Sequence, residues 1–114
     1  MINPLIVTSG LLALGAAFDG KSTIDFLTKG KGAFVEADPV MVWLYGSDTP
    51  SNNKVIFLGG AIIAAEIAIA FVASHFWHPA AWLFGIQQVV QAGVHFYEYH
   101  RNESMLAAYL KTKS

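Results

Sequence analysis

The sequence has no cysteine, which excludes disulfides, thiolate metal centres and thiol nucleophiles while leaving the redox compartment open. It is also poor in charge. Only 13 % of its 114 residues are Asp, Glu, Lys or Arg, against about 25 % in an average soluble domain. A surface facing water needs those charges, so the deficit weighs more than the mean hydropathy of +0.46. The net charge of −1 gives no electrostatic basis for binding nucleic acid. No Walker loop, Gly-x-Ser-x-Gly elbow or dinucleotide fingerprint is written in the chain. Ser9 and Ser22 have no evident activating base, and the Gly59-Gly60 pair sits in an apolar run where glycine serves packing. No internal repeat, low-complexity tract or domain boundary divides the chain, so residues 1–114 read as one unit.

What is there is apolar: 54 % of the residues are hydrophobic. Three segments are long enough to span a bilayer, which takes ~20 mostly apolar residues. The first runs from Pro4 to Phe18 and continues as helix to Leu27, the second from Val55 to Ser74 with Glu66 as its one charge, and the third from Pro79 to Tyr97. The expected architecture is all-α: three transmembrane helices over about 4–27, 54–75 and 79–99, with a short interfacial helix at about 39–45. Gly15 and Ala17 would suit the small positions of a signal-peptide cleavage site, but no Lys or Arg precedes Leu5, so the first segment is expected to be a retained helix.

The basic residues set the expected topology. Lys21, Lys29, Lys31 and Lys54 lie between the first and second spans, and Arg101, Lys111 and Lys113 follow the third. The first residues and the "SHFWHP" turn carry none. With an odd number of spans all seven basic residues face one compartment, which the positive-inside rule makes the cytoplasm. The N-terminus is then outside and the C-terminus inside.

Local signals fit this outline. Asn3 and Pro4 read as a helix cap and first turn, and Gly30 and Gly32 as a stop. Asp38-Pro39 opens a short helix that Gly46 ends; its Val40, Met41, Trp43, Leu44 and Tyr45 suit an interface or a loop packed over helix ends. "SDTPSNN" caps the second span. Ser9, Ala13 and Ala17, and again Gly60, Ala64 and Ala68, recur every four residues and predict small faces for close helix contact. The tail "RNESMLAAYLKTKS" reads as a separate short amphipathic helix. Its Asn102-Glu103-Ser104 triplet matches a glycosylation acceptor that would be idle in the cytoplasm.

The third span carries the polar residues. Gln87, Gln91 and His95 recur every four, and Gln88, Gln91, His95 and Glu98 every three or four, so either set forms a stripe along one helix face. A stripe facing lipid would leave its hydrogen-bonding groups unmet, so it should face other helices or a wet cavity. Depth predicts its partners. Counted from the outer ends, Gln87 and Gln88 lie roughly 12 to 14 Å in and Glu66 about 12 Å, whereas Asp19 lies about 22 Å and His95 about 24 Å in. Glu66 then meets the glutamines, and Asp19 meets His95.

Each layer admits more than one reading. Glu66 is a register-setting hydrogen-bond partner of the amides, a proton or ion site, or a contact to a partner subunit. Asp19, Glu36, His95 and His100 are oxygen and imidazole donors near one surface, so a metal is one reading, with His95 also able to ligate a tetrapyrrole iron or magnesium. His95 satisfied by Asp19 or Tyr99 is the other. His95 and His100, five apart, fall on different helix faces. His75 and His78 read as polar residues of an outer turn.

The stretch "DGKSTIDFLTKGKGAFVEADPV", with Asp19, Ser22, Thr23, Gly30, Glu36, Asp38 and Pro39, resembles a pattern in a family of small uncharacterised bacterial membrane proteins. The resemblance covers about a fifth of the chain, and this chain has Asp38 where asparagine is usual before the proline. It implies a multi-span protein of the bacterial inner membrane, with Asp19 and Glu36 as residues of interest, and carries no activity.

Three helices enclose little interior, so self-association or docking on other membrane subunits is expected, with lipid around. The leading expectation is an accessory or structural subunit of a membrane assembly. The alternatives are a metal- or haem-binding membrane enzyme using Asp19, Glu36 and His95, and a proton or ion pathway through Glu66.

Overall fold

The computed structural model describes residues 3–30, 39–47 and 49–112. The described residues form four helices: α1 (Pro4–Lys29), α2 (Pro39–Tyr45), α3 (Asn52–Phe76) and α4 (Pro79–Thr112). The described residues contain no strand, and the fold measures 54 × 26 × 19 Å.

The helix starts follow their capping chemistry. Asn3 Oδ1 accepts a hydrogen bond from the Leu5 amide at 2.9 Å, and Pro4 occupies the first turn, where its missing N–H costs nothing. Ser51 Oγ accepts from the Lys54 amide at 3.3 Å and opens α3. Pro39 begins α2, while the cap expected of Asp38 lies outside the described residues. Gly46 ends α2 with φ of 76°, a left-handed conformation that glycine adopts without steric cost.

One boundary differs from expectation. The tail is not a separate helix: α4 runs unbroken for 34 residues from Pro79 to Thr112, a rod of roughly 51 Å. The reason is local. Beyond Gly93 the sequence of α4 has neither glycine nor proline, and "NESMLAAYL" is rich in good helix formers.

The principal contact is between α1 and α4, with α3 laid against both. Side-chain bonds between α1 and α4 join residues 76 to 80 positions apart, so the two helices run parallel. α3 returns between them through the tight Trp77-His78 turn and is antiparallel to α4.

The seam has a seven-residue repeat. α4 turns residues 81, 85, 88, 92, 95, 99, 102 and 106 towards α1, alternating steps of four and three. α1 answers with 5, 9, 12, 16, 19, 23 and 26 in the same rhythm, and Gly15 is buried beside it. Alternating steps hold one stripe of a 3.6-residue helix against a neighbour along its length. The strict four-residue face Ser9-Ala13-Ala17 is therefore not the contact: Ser9 is buried, but Ala13 and Ala17 are exposed.

Leu5 and Leu12 are fully buried in this seam. Leu5, Ala70 and Ala81 form the apolar cluster where α1, α3 and α4 meet, flanked by Phe71 and Phe84. α2 buries only Tyr45 and is tied to α3 by Lys54 Nζ, which donates to the Tyr45 carbonyl at 3.0 Å.

By length and composition α3 alone is apolar enough to cross a membrane, and only 11 % of its apolar stretch is buried in the fold. α1 and α4 are long enough but more polar. Every membrane-length stretch of α1 takes in Asp19 and Lys21, and α4 carries three glutamines in its first half.

Candidate functional site

Three polar layers interrupt the α1–α4 seam. In the first, nearest the α3–α4 turn, Gln88 is only 1 % exposed. Its Oε1 accepts from Thr8 Oγ1 at 2.7 Å and from Ser9 Oγ at 3.2 Å. Both hydroxyls come from the facing turn of α1. Gly85 lies beside the Thr8 side chain, where an added Cβ would stand 3.6 Å away in ordinary van der Waals contact.

The second layer pairs Asp19 with His95. Asp19 Oδ2 and His95 Nδ1 lie 2.7 Å apart, with side chains 20 % and 27 % exposed. Gly15, one turn before Asp19, permits the approach: its missing Cβ would meet the Ala92 carbonyl oxygen at 3.1 Å and the His95 Cβ at 3.3 Å. Phe18 packs on Phe96 and Tyr99 at centroid distances of 6.0 and 5.2 Å, which walls one side of the pair. The partner of His95 is thus Asp19, as the depth estimate anticipates.

The third layer was not foreseen. Asn102 is buried, and its Nδ2 donates to Ser22 Oγ at 3.1 Å and Thr23 Oγ1 at 3.4 Å. Ser22 in turn donates to the Asp19 carbonyl at 2.8 Å, which links this layer to the one above. The sequence signal was available: Asn102 continues the Gln88, His95 series at steps of seven.

Four buried polar atoms have no hydrogen-bond partner among the described residues: Glu66 Oε2, Gln88 Nε2, Gln91 Oε1 and Glu103 Oε1. Three of them belong to the predicted mid-depth layer. Glu66 on α3 is one turn from Ala70, which packs with Leu5 and Ala81. Helix side chains lean towards their own N-terminus. In antiparallel α3 and α4, Glu66 therefore leans down the bundle while Gln88 and Gln91 lean up towards the α3–α4 turn. Glu66 and Glu98 also lie within electrostatic reach of the His95 ring.

The remaining sequence candidates fall elsewhere. Gln87 is exposed, so Gln88, Gln91 and His95 make the inward stripe, with Glu98 half-buried beside Arg101, its hydrogen-bonded ion-pair partner. His100 is exposed and apart from the Asp19–His95 pair. Glu36 lies outside the described residues. Among the described residues no three His, Asp or Glu side chains are grouped to hold a metal ion; Asp19 and His95 supply two donors of such a set, already spent on one another. The Asp19 and His95 arrangement can relay or hold a proton.

At the turn end, Asn3, Pro4, Phe71, Ser74, His75, His78, Ala81 and Trp82 line a cleft of about 650 Å³. His75 and His78, read from sequence as turn residues, border it. Comparison with known proteins returns no matching family model, no matching curated protein and no matching solved structure.

Proposed function

We propose that the chain is a small three-span subunit of a bacterial inner-membrane assembly, inserted through α1, α3 and α4 and joined to its neighbours by the small-residue face of α3. The observation that carries this reading is an inversion of the usual polarity. Ser9, Ser22, Thr23, Ser74, Gln88 and Asn102 are buried, while Ile6, Val7, Phe57, Val72, Phe76 and Trp82 are each more than half exposed. Soluble monomers rarely expose contiguous apolar surface on this scale, whereas lipid favours it and drives polar groups inward.

The chain directions support the same reading. First and third spans must run parallel, and α1 and α4 do; the intervening α3 runs back. Of the polar residues that make α1 and α4 less lipid-like, Asp19, Gln88, Gln91 and His95 turn inward while Lys21 and Gln87 stay exposed, so much of the polarity of the two helices is withdrawn from the surface offered to lipid. α2, with Trp43 79 % exposed, suits the headgroup layer on the cytoplasmic side.

The association surface is Gly60, Ala64 and Ala68. All three are exposed, and space around Gly59 and Gly60 is open. Small residues let helix backbones approach closely in lipid, and this strip is unused among the described residues. The test is mild-detergent co-purification of a Gly60→Leu, Ala64→Leu variant from native membranes. Loss of associated subunits, or of self-association, with helicity retained is the expected result. Unchanged co-purification overturns the docking role of this face.

A further inference from the structure

The cleft at the α3–α4 turn has an apolar base and a hydrogen-bonding mouth. Its volume of about 650 Å³ lies within the roughly 300–1,000 Å³ usual for small-molecule sites. Ser74 and Ala81 are buried in its lining, and Ser74 Oγ already donates to the Phe71 carbonyl at 2.9 Å. The base therefore offers apolar surface and no spare hydroxyl proton. His75, His78 and Trp82 are exposed and form the mouth. The His75 ring meets Phe76 edge-on at a centroid distance of 5.2 Å. On the α1 side, Asn3 Oδ1 is taken by the Leu5 amide, which leaves the Asn3 amide N–H groups as donors.

The chemistry of this lining selects its ligand. Among the described residues no Asp, Glu, Lys or Arg lines the cleft. A phosphate head would meet no fixed cation, and an ammonium head no carboxylate. A metal ion would find two imidazoles and, among the described residues, no third His, Asp or Glu grouped with them, whereas protein metal sites commonly supply three or four ligands. An uncharged amphipath fits. An imidazole donates through one ring nitrogen and accepts through the other, so it serves a carbonyl or a hydroxyl equally. Two imidazoles suit a ring bearing two such oxygens, and aromatic side chains favour a flat one. Exposed Phe76 and Trp82 beside the mouth give a hydrocarbon tail a way into lipid. A tailed quinone and its quinol have all three features; a sterol or a glyceride lacks the flat ring.

We propose that the cleft bordered by Asn3, His75, His78 and Trp82 binds the head group of a lipid-soluble quinone, with the tail in the outer leaflet. The placing of the tail rests on the three-span reading; the cleft rests on the fold alone.

The experiment titrates a decyl-tailed benzoquinone into the purified full chain in mild detergent and reads the quenching of tryptophan fluorescence. Saturable quenching is expected in the wild type. The variant His75→Leu, His78→Leu should raise Kd about tenfold with helicity retained, since both side chains are exposed. Trp82→Phe should lower the saturable amplitude, and Trp43→Phe should leave it unchanged. If the double variant loses helicity, His78→Leu alone decides. Quenching that rises without saturation, as for simple partition into micelles, overturns the proposal. So does a Kd indifferent to the histidines, or displacement by equimolar decyl phosphate, which would make the cleft an anionic-lipid site. Binding in detergent needs the fold but no orientation in a membrane, so its failure is distinguishable from failure of the three-span topology, which cysteine labelling reads separately.

Discussion

Gly15 lies close against the backbone of Ala92: a Cβ on Gly15 would stand 3.1 Å from the Ala92 carbonyl oxygen. This contact sits one turn from the bond between Asp19 and His95, so the spacing of α1 and α4 at Gly15 controls whether that bond can form.

Gly15→Ala should therefore destabilise the fold, although alanine is the better helix former. Overpacking of this kind costs about 1–3 kcal/mol, and the loosened Asp19–His95 contact adds to it. Gly10 is the control, since nothing lies within 4 Å of its added Cβ; Gly10→Ala should be neutral or stabilising by about 0.5–1 kcal/mol. Unfolding in detergent, followed by circular dichroism, measures both. Equal effects at the two positions would show that the seam is not tight at Gly15.

Asn102 should matter more than a position beyond the apolar stretch of α4 suggests. Asn102→Leu keeps the branching at Cγ, with a larger volume, and removes the donor to Ser22 and Thr23. Ser22 retains its own bond to the Asp19 carbonyl, so the cost is that of the amide bonds, about 1–2 kcal/mol, plus any overpacking in the seam. Ser104→Leu, on the exposed face of the same turn, should cost less than about 0.5 kcal/mol. A ranking in the opposite order would remove Asn102 from the seam.

Asp19 and His95 should be energetically coupled. A double-mutant cycle with Asp19→Asn and His95→Gln should return a coupling of at least about 0.6 kcal/mol, the average for hydrogen bonds between membrane helices. Coupling between Asp19 and His100 should be close to zero, because His100 faces away. The readout is again unfolding free energy in detergent, and additivity within the Asp19–His95 cycle would sink the pairing.

The absence of cysteine makes the membrane topology directly measurable. Single-cysteine variants at His78 and Lys111 sit at opposite ends of α4, on exposed positions. An impermeant maleimide applied to intact cells should label His78→Cys and leave Lys111→Cys untouched until the membrane is opened. Labelling of both from outside would end the three-span arrangement.

Local signals carried the helix starts well, because capping is short-range: Asn3, Ser51, Pro39 and Gly46 act where their positions predict. Depth counting found the pairing of Asp19 with His95, since a constant rise per residue makes the level of a side chain nearly independent of tertiary detail. The seam itself was not found. Ser9-Ala13-Ala17 is visible as a run of small residues, but whether a helix uses a four-residue or a seven-residue stripe depends on the neighbour it packs against. Once that neighbour is α4, Leu12 and Gly15 go inside and Ala13 and Ala17 go out. The choice between Gln87 and Gln88 failed to resolve for the same reason, a difference of about 100° around one helix.

The triplet that begins at Asn102 looks like a ready-made reporter of sidedness, because sugar attachment marks whatever reaches the lumenal face of a secretory membrane. Here the asparagine amide is engaged between two helices, inside an unbroken helical turn, and no transferase can draw it out without opening the bundle. An unmodified band on a gel would carry no information about which way the chain is threaded. Acceptor sequons for such mapping belong at the His78 bend, where the backbone is turned outward.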